Sequence, residues 1–158
     1  MTLSVLLIED MKPVQEALLE LLCTVGEFTI AGIAPTEAEA NLWLQENPGK
    51  WDLAIVDLIL AEGTGMRVIA RARKVHAGGR IVVFSDFLTA GIEAHCLKLG
   101  ADATFDKLKG PGPLLEYCRQ FARSRWLANY AVSAANSPME RDLRNDSGVV
   151  PVQRRNER

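Results

Sequence analysis

Four short apolar runs in this chain each end on reactive polar side chains. Ser4–Ile8 runs into Glu9 and Asp10, Leu53–Val56 into Asp57, and Ile81–Phe84 into Ser85; Ala103–Asp106 leads to Lys107. Runs this short and this rich in Val and Ile fit strands buried on both faces, which implies a parallel sheet covered by helices. Parallel strands bring their last residues to one edge, and in open α/β sheets that edge is where ligands bind. An acid pair, a lone Asp, a hydroxyl and an amine gathered there suit a divalent metal and a phosphoryl group.

The segments between the runs have helical spacing. Pro13 suits a first helical turn, Val14, Leu18, Leu21, Leu22 and Val25 recur on one face, and Gly26 is a stop. Phe28–Ala34 reads as a second strand. Thr36 and Glu39 form a capping box for a helix through Leu44, broken by Asn47-Pro48-Gly49. Trp51–Asp57 is predicted as the third strand. After the Gly63-Thr64-Gly65 loop a helix is expected from Met66 to His76, then a strand over Arg80–Ser85. Thr89 caps a helix carrying Ile92, Cys96 and Leu99 with Gly100 as its stop. Ala101–Lys107 is the fifth strand. Leu114, Leu115, Cys118, Phe121 and Ala122 mark the inner face of a last helix, whose pattern runs on through Trp126, Leu127, Tyr130 and Val132 to Ser137-Pro138.

Five alternating βα units call for an α/β fold, a flavodoxin-like doubly wound (βα)5 arrangement with parallel sheet order 2-1-3-4-5. Strands 1 and 3 are then neighbours, which brings Glu9, Asp10 and Asp57 together. The expected division is a domain over 1–126 and a helical extension with a charged tail over 127–158, mobile from Met139 onward.

Composition narrows the function. The 158 residues are 48% hydrophobic and 24% charged, with a net charge of -2, which argues against a nucleic-acid binder driven by bulk electrostatics. Cys23, Cys96 and Cys118 have no CxxC spacing and sit in apolar helical patterns, so each is expected as a small buried hydrophobe in a reducing compartment. Ser4–Ile8 is too short for a signal peptide, and no stretch approaches the roughly 20 apolar residues that span a bilayer. The chain is expected in the cytoplasm, away from membrane and nucleic acid. His76 and His95 have no acid–base partner in the pattern and are expected at the surface or at helix ends.

Three carboxylates held close together repel one another, and a hard divalent cation such as Mg²⁺ relieves the repulsion through oxygen ligands. Asp57 is then placed to attack an activated phosphoryl group, since aspartate forms acyl phosphates. Lys107 would neutralise a phosphoryl oxygen as a point charge, and Ser85 could hydrogen-bond another.

The sequence resembles the receiver domain of bacterial two-component response regulators over roughly residues 3–123. The likeness rests on Leu6-Leu7-Ile8-Glu9-Asp10, on Asp57-Leu58-Ile59-Leu60 with Gly65 beyond it, on Phe84-Ser85, and on Gly100-Ala101-Asp102 leading to Phe105-Asp106-Lys107. The resemblance implies that Asp57 is the phosphoacceptor. It implies that Glu9, Asp10, Asp57 and the backbone carbonyl of Ile59 hold Mg²⁺, that Ser85 is the switch hydroxyl, and that Lys107 contacts the phosphoryl group. The implied donor is a phosphohistidine on a sensor histidine kinase or a histidine phosphotransfer protein. A homodimer through the fourth and fifth helices is an option by the same likeness.

Some positions depart from the family pattern. Ala61 and Leu108 stand where Pro is frequent, and Thr104 where an aromatic usually follows activation. Asp86 adds a negative charge directly after Ser85, which would slow phosphoryl capture, meet a partner's basic group, or simply belong to a surface turn. About 35 residues follow Arg123, with too little apolar content for the three packed helices of a helix-turn-helix unit. The expectation is a stand-alone receiver of a two-component or phosphorelay pathway that signals by docking to a partner protein or passes its phosphoryl group onward in a relay, with no separate catalytic output domain. Trp126 and Tyr130, four apart, would pack on the parent domain or form a partner patch. The competing reading is a receiver-like interaction module that is never phosphorylated. A haloacid-dehalogenase-like phosphatase would need an acid where Ile59 stands, and no complete GxGxxG or GxxxxGK[ST] motif occurs.

Overall fold

The computed structural model describes residues 1–136. Five strands, β1 (Leu3–Ile8), β2 (Phe28–Ala34), β3 (Leu53–Val56), β4 (Arg80–Ser85) and β5 (Ala103–Asp106), form one parallel sheet in the order β2-β1-β3-β4-β5. Between and after them run α1 (Lys12–Val25), α2 (Glu37–Glu46), α3 (Gly65–Val75), α4 (Ala90–Leu99) and α5 (Gly112–Ala135). This is the flavodoxin-like topology read from the sequence.

Strand alternation divides the core in two. Leu6, Ile8, Ala54, Val56, Ile81 and Val83 face one side, where Ala40 and Leu44 of α2, Val68, Ile69 and Ala72 of α3 and Cys96 of α4 pack. Val5, Leu7, Leu53, Ile55, Val82 and Phe84 face the other, against Leu18 and Leu22 of α1 and Leu114, Cys118 and Phe121 of α5. Because both faces are covered, the central strands read as unbroken apolar runs.

Local chemistry sets the helix ends. Thr36, Thr64 and Thr89 each cap a helix, accepting from the backbone N–H of Glu39, Met66 and Ile92. Gly26 ends α1 with φ 79°, in the left-handed region that glycine enters without penalty. The third and fifth strands are shorter than expected. Trp51 lies before β3, its buried ring edge-on to His76 at 4.9 Å. The Asp52 carboxylate accepts from the Ser4 N–H at 2.8 Å. At the end of β5 the chain tightens at once into a 3-10 turn, Lys107–Lys109, capped by the Asp106 carboxylate, which accepts from the Leu108 N–H at 2.8 Å.

One cysteine departs from expectation. Cys96 and Cys118 are buried, but Cys23 is exposed. It follows core-facing Leu22 by one residue, about 100° round the helix and therefore off the buried stripe. Burial pushes the Cys96 thiol above its ordinary value and the Cys118 thiol up to about 12.

The described residues divide into two units after Ala122. In the second, the rings of Trp126 and Tyr130 stack with centroids 5.5 Å apart and both are exposed. The predicted helix end at Ser137-Pro138 and the predicted mobile tail lie outside the described residues. No helix among the described residues is long and apolar enough to cross a membrane.

Candidate functional site

Among the described residues the buried polar or charged side chains are Glu9, Asp57 and Ser85, and each stands at or just past the carboxyl end of a strand. The sheet itself places them. The Glu9 N–H donates to the Ala34 carbonyl, extending the β1–β2 ladder one step, and the Asp57 N–H donates to the Ile8 carbonyl, extending β1–β3. Ser85 is the last residue of β4, in register with Asp106.

The two acids share a cation. Lys107 Nζ donates to Glu9 Oε2 at 2.7 Å and to Asp57 Oδ2 at 2.9 Å, and lies 5.9 Å from the centre of the Phe84 ring. The side chains of Lys107, Glu9 and Asp57 are only 10%, 2% and 8% exposed. Burial pushes the Glu9 carboxyl above its ordinary value and the Asp57 charge adds to this, against hydrogen bonds from Lys107 and the Met11 N–H. Burial works to lower the Lys107 ammonium, but the hydrogen bonds to Asp57 and Glu9 outweigh it and hold its pKa above the ordinary value.

Glu9, Asp10 and Asp57 each offer a carboxylate oxygen, all within 4.8 Å of one another. These are hard oxygen donors. Three carboxylates against one ammonium leave two negative charges uncompensated, which fits a divalent cation with oxygen preference. A cavity of about 120 Å³ opens here, lined by Asp10, Met11, Asp57, Ile59, Asp86, Phe87 and Lys107. Glu9 lies beneath it, bonded to Lys107, and is not in the lining. Nor is Ser85 in the lining, although its hydroxyl is fully buried and has no hydrogen-bond partner in the structure. An orphaned buried hydroxyl is unfavourable unless a ligand or water completes it.

The loop after Asp57 is pinned at several points. Leu58 and Leu60 turn inward and Ile59 outward, 52% exposed. The Gly65 N–H donates to the Leu58 carbonyl, and a Cβ on Gly65 would run into the Asp57 carbonyl oxygen. Glycine is therefore required for α3 to begin this close to the site. Glu37 holds the same loop by accepting from the Thr64 N–H at 3.0 Å. Sequence reading did not single out Glu37, because a carboxylate in the first turn of a helix is ordinary there and its long-range partner leaves no local mark. It also missed Met11 as a wall of the cavity.

Known proteins share this fold. The chain matches the response regulator receiver domain over residues 5–119. No curated protein matches it in sequence. Among solved structures it is similar to a LuxR-family two-component response regulator from Aurantimonas sp. SI85-9A1, with 19% identity, a TM-score of 0.70, and 78% of this chain and 87% of that one covered. It is also similar to the response regulator domain of CheB from Thermotoga maritima, with 21% identity, a TM-score of 0.67, and 78% and 98% covered. A third is the CheX–CheY complex with BeF3 and Mg²⁺ from Borrelia burgdorferi, with 18% identity, a TM-score of 0.63, and 66% and 78% covered. At such identities the structural likeness concerns the fold. The family match runs from within β1 into α5 and takes in all five strand ends, including those that carry the acids, so the chain belongs to the response regulator receiver domains.

Proposed function

We propose that this receiver takes a phosphoryl group onto Asp57 and passes the signal on by docking to a partner protein. The observation that carries the proposal is the concentration of buried polar chemistry at one sheet edge, with Lys107 bridging Glu9 and Asp57. A scaffold has no need to bury mutually repelling acids.

The donor is a phosphohistidine of a sensor histidine kinase or a histidine phosphotransfer protein in the cytoplasm. An Asp57 carboxylate oxygen attacks phosphorus, a P–O bond forms and the P–N bond breaks. The second ring nitrogen of the donor carries a proton, so the electron pair of that bond returns to an imidazolium and histidine leaves neutral. Glu9, Asp10, Asp57 and the backbone carbonyl of Ile59 would hold Mg²⁺, which when bound offsets charge on the carboxylates and the phosphoryl oxygens. Lys107 exchanges a carboxylate partner for a phosphoryl oxygen, remaining a point charge at the reacting group. The orphaned Ser85 hydroxyl gains an acceptor once a phosphoryl oxygen is near.

Incubation with phosphoramidate and Mg²⁺, followed by intact-mass measurement, tests this. The expected result is one added phosphate on the wild-type chain and none on Asp57→Asn. An unmodified wild-type chain would favour the interaction-module reading. Exposed Ile59 and Phe87 flank the cavity and hinder an attacking water, so the phosphoform should hydrolyse slowly; a half-life of seconds would contradict that part.

A further inference from the structure

Asp86 has a position that the phosphoacceptor reading does not use. It follows Ser85, is exposed, and lines two cavities at once. One is the acidic cavity over Asp57. The other, of about 420 Å³, runs along α1 past Pro13, Val14, Ala17 and Leu21. Lys107 and Met11 also line both, so Asp86 stands where the two meet. Its carboxylate has no ion-pair or hydrogen-bond partner among the described residues. Lys107, the cation lining both cavities, is already bonded to Glu9 and Asp57.

The surroundings make this charge count. Met11, Ile59 and Phe87, each more than half exposed, form apolar walls around the opening. A charged mouth between low-dielectric walls focuses its field on whatever enters. With Asp10, Asp57 and Asp86 in the lining and Glu9 beneath, four carboxylates oppose one ammonium, and a divalent cation held by Glu9, Asp10 and Asp57 would still leave one negative charge uncompensated at the entrance. Every phosphoryl donor arrives carrying negative charge, so the entrance repels what the site must accept. That repulsion grows with the donor's charge. A donor presented by a docking protein overcomes it through contacts elsewhere, whereas a free small anion has no such contacts.

We infer that Asp86 is a specificity-determining residue, a charge gate that selects against free dianionic phosphodonors at the mouth of the Asp57 cavity. The inference rests on the phosphoacceptor reading above. Across a water-filled opening, a unit charge lowers the local concentration of an approaching like charge by about two- to threefold, and of a dianion by about the square of that. The effect fades as salt shortens the screening length.

Two donors separate gate from chemistry. Acetyl phosphate is a dianion at neutral pH, whereas phosphoramidate is a zwitterion with a single net negative charge. Initial phosphorylation rates are measured by intact mass with each donor, at saturating Mg²⁺ and at low and high ionic strength, for the wild-type chain, Asp86→Asn and Asp86→Glu. At low salt, Asp86→Asn should react about fivefold faster with acetyl phosphate and only about twofold faster with phosphoramidate, a difference that shrinks towards unity in high salt. Asp86→Glu keeps the charge and should behave as wild type. An equal change with both donors, or a gain indifferent to salt, would show that Asp86 acts by size or by altering the chemistry, and the gate would be abandoned. If neither donor modifies any of the three proteins, the phosphoacceptor assignment itself fails and takes the gate with it.

Discussion

At the amino edge of the sheet, Arg73 donates to the carbonyls of Ala77, Gly79 and Gly100 and to the Asp102 carboxylate, which in turn accepts from the Ile81 N–H. At the carboxyl edge, Lys107 donates to Glu9 and Asp57, and nearby Ser85 donates to nothing. Both edges hold a cation between strands. At the first, charge ties backbone to backbone, joining the end of α3, the start of β4 and the α4–β5 turn. At the second, the side chains chiefly bind one another, more deeply buried and with acids in excess. Ionic groups that satisfy the main chain stabilise a fold, whereas ionic groups that chiefly satisfy each other can be rearranged by a ligand.

The largest effect is expected where the main chain depends on the side chain. Arg73→Ala removes five hydrogen bonds, four of them to main-chain carbonyls. It should lower unfolding free energy by about 3 kcal/mol in a denaturant titration and still permit phosphorylation of whatever remains folded. A loss below about 1 kcal/mol would mean that water replaces the arginine easily and that the two edges differ less than their geometry indicates.

A change of opposite sign is expected at the site. Asp57→Asn keeps an amide oxygen for Lys107 but removes one of the buried negative charges. Without Mg²⁺ at pH 7 it should be more stable than wild type by about 1 kcal/mol. The gain should depend on pH. The Glu9 carboxyl is raised above its ordinary value, chiefly by burial and further by the Asp57 charge, so as pH falls through the raised value Glu9 becomes neutral in the wild type and the repulsion disappears. The two proteins should converge in acid and separate towards neutrality. Mg²⁺ at ten times its Kd should add about 1.4 kcal/mol to the wild type and clearly less to the variant. A variant less stable than wild type at pH 7 would place the site among the stabilising elements and remove the contrast.

The site edge was more legible in the sequence than the stapled one, for a physical reason. Apolar strand runs have a strong local signature, and the residue at which each run stops is visible without knowing the partner. Glu9, Asp57, Ser85 and Lys107 are therefore found by reading the chain, and parallel pairing alone brings them to one edge. The pairing of Arg73 with Asp102, or of Glu37 with the Thr64 N–H, joins residues 29 and 27 positions apart in ordinary helical and loop contexts. Nothing local marks either pair. The sequence also could not reveal that Ser85 lies outside the cavity lining, since depth below a surface depends on how neighbouring loops close. Cys23 was misplaced because an apolar pattern fixes the direction of the buried stripe more surely than its width.

The smallest expected effect falls on a link between β5 and α4 near the site. Thr104 stands where an aromatic was anticipated from the family, and its hydroxyl donates to Glu93 Oε1 at 3.1 Å. Glu93 lies in the first turn of α4, a favourable place for an acid, and Thr104 pairs with Val83 across the sheet, two residues before Ser85. This one side-chain hydrogen bond contrasts with the five made by Arg73, so α4 should be held less firmly at its first turn than α3 at its last. Thr104→Val preserves shape and removes only the donor. It should cost about 0.5–1 kcal/mol of global stability. Amide exchange should quicken in the first turns of α4 and remain unchanged at the Ile81 N–H, which the Asp102 carboxylate holds at the other edge. Exchange that quickens equally at both places would mean that the two edges open together and that the contrast between them does not extend to their motions. Exchange that changes at neither would mean that the packing of Ile92 and Leu99 against the core holds α4 without help from Thr104.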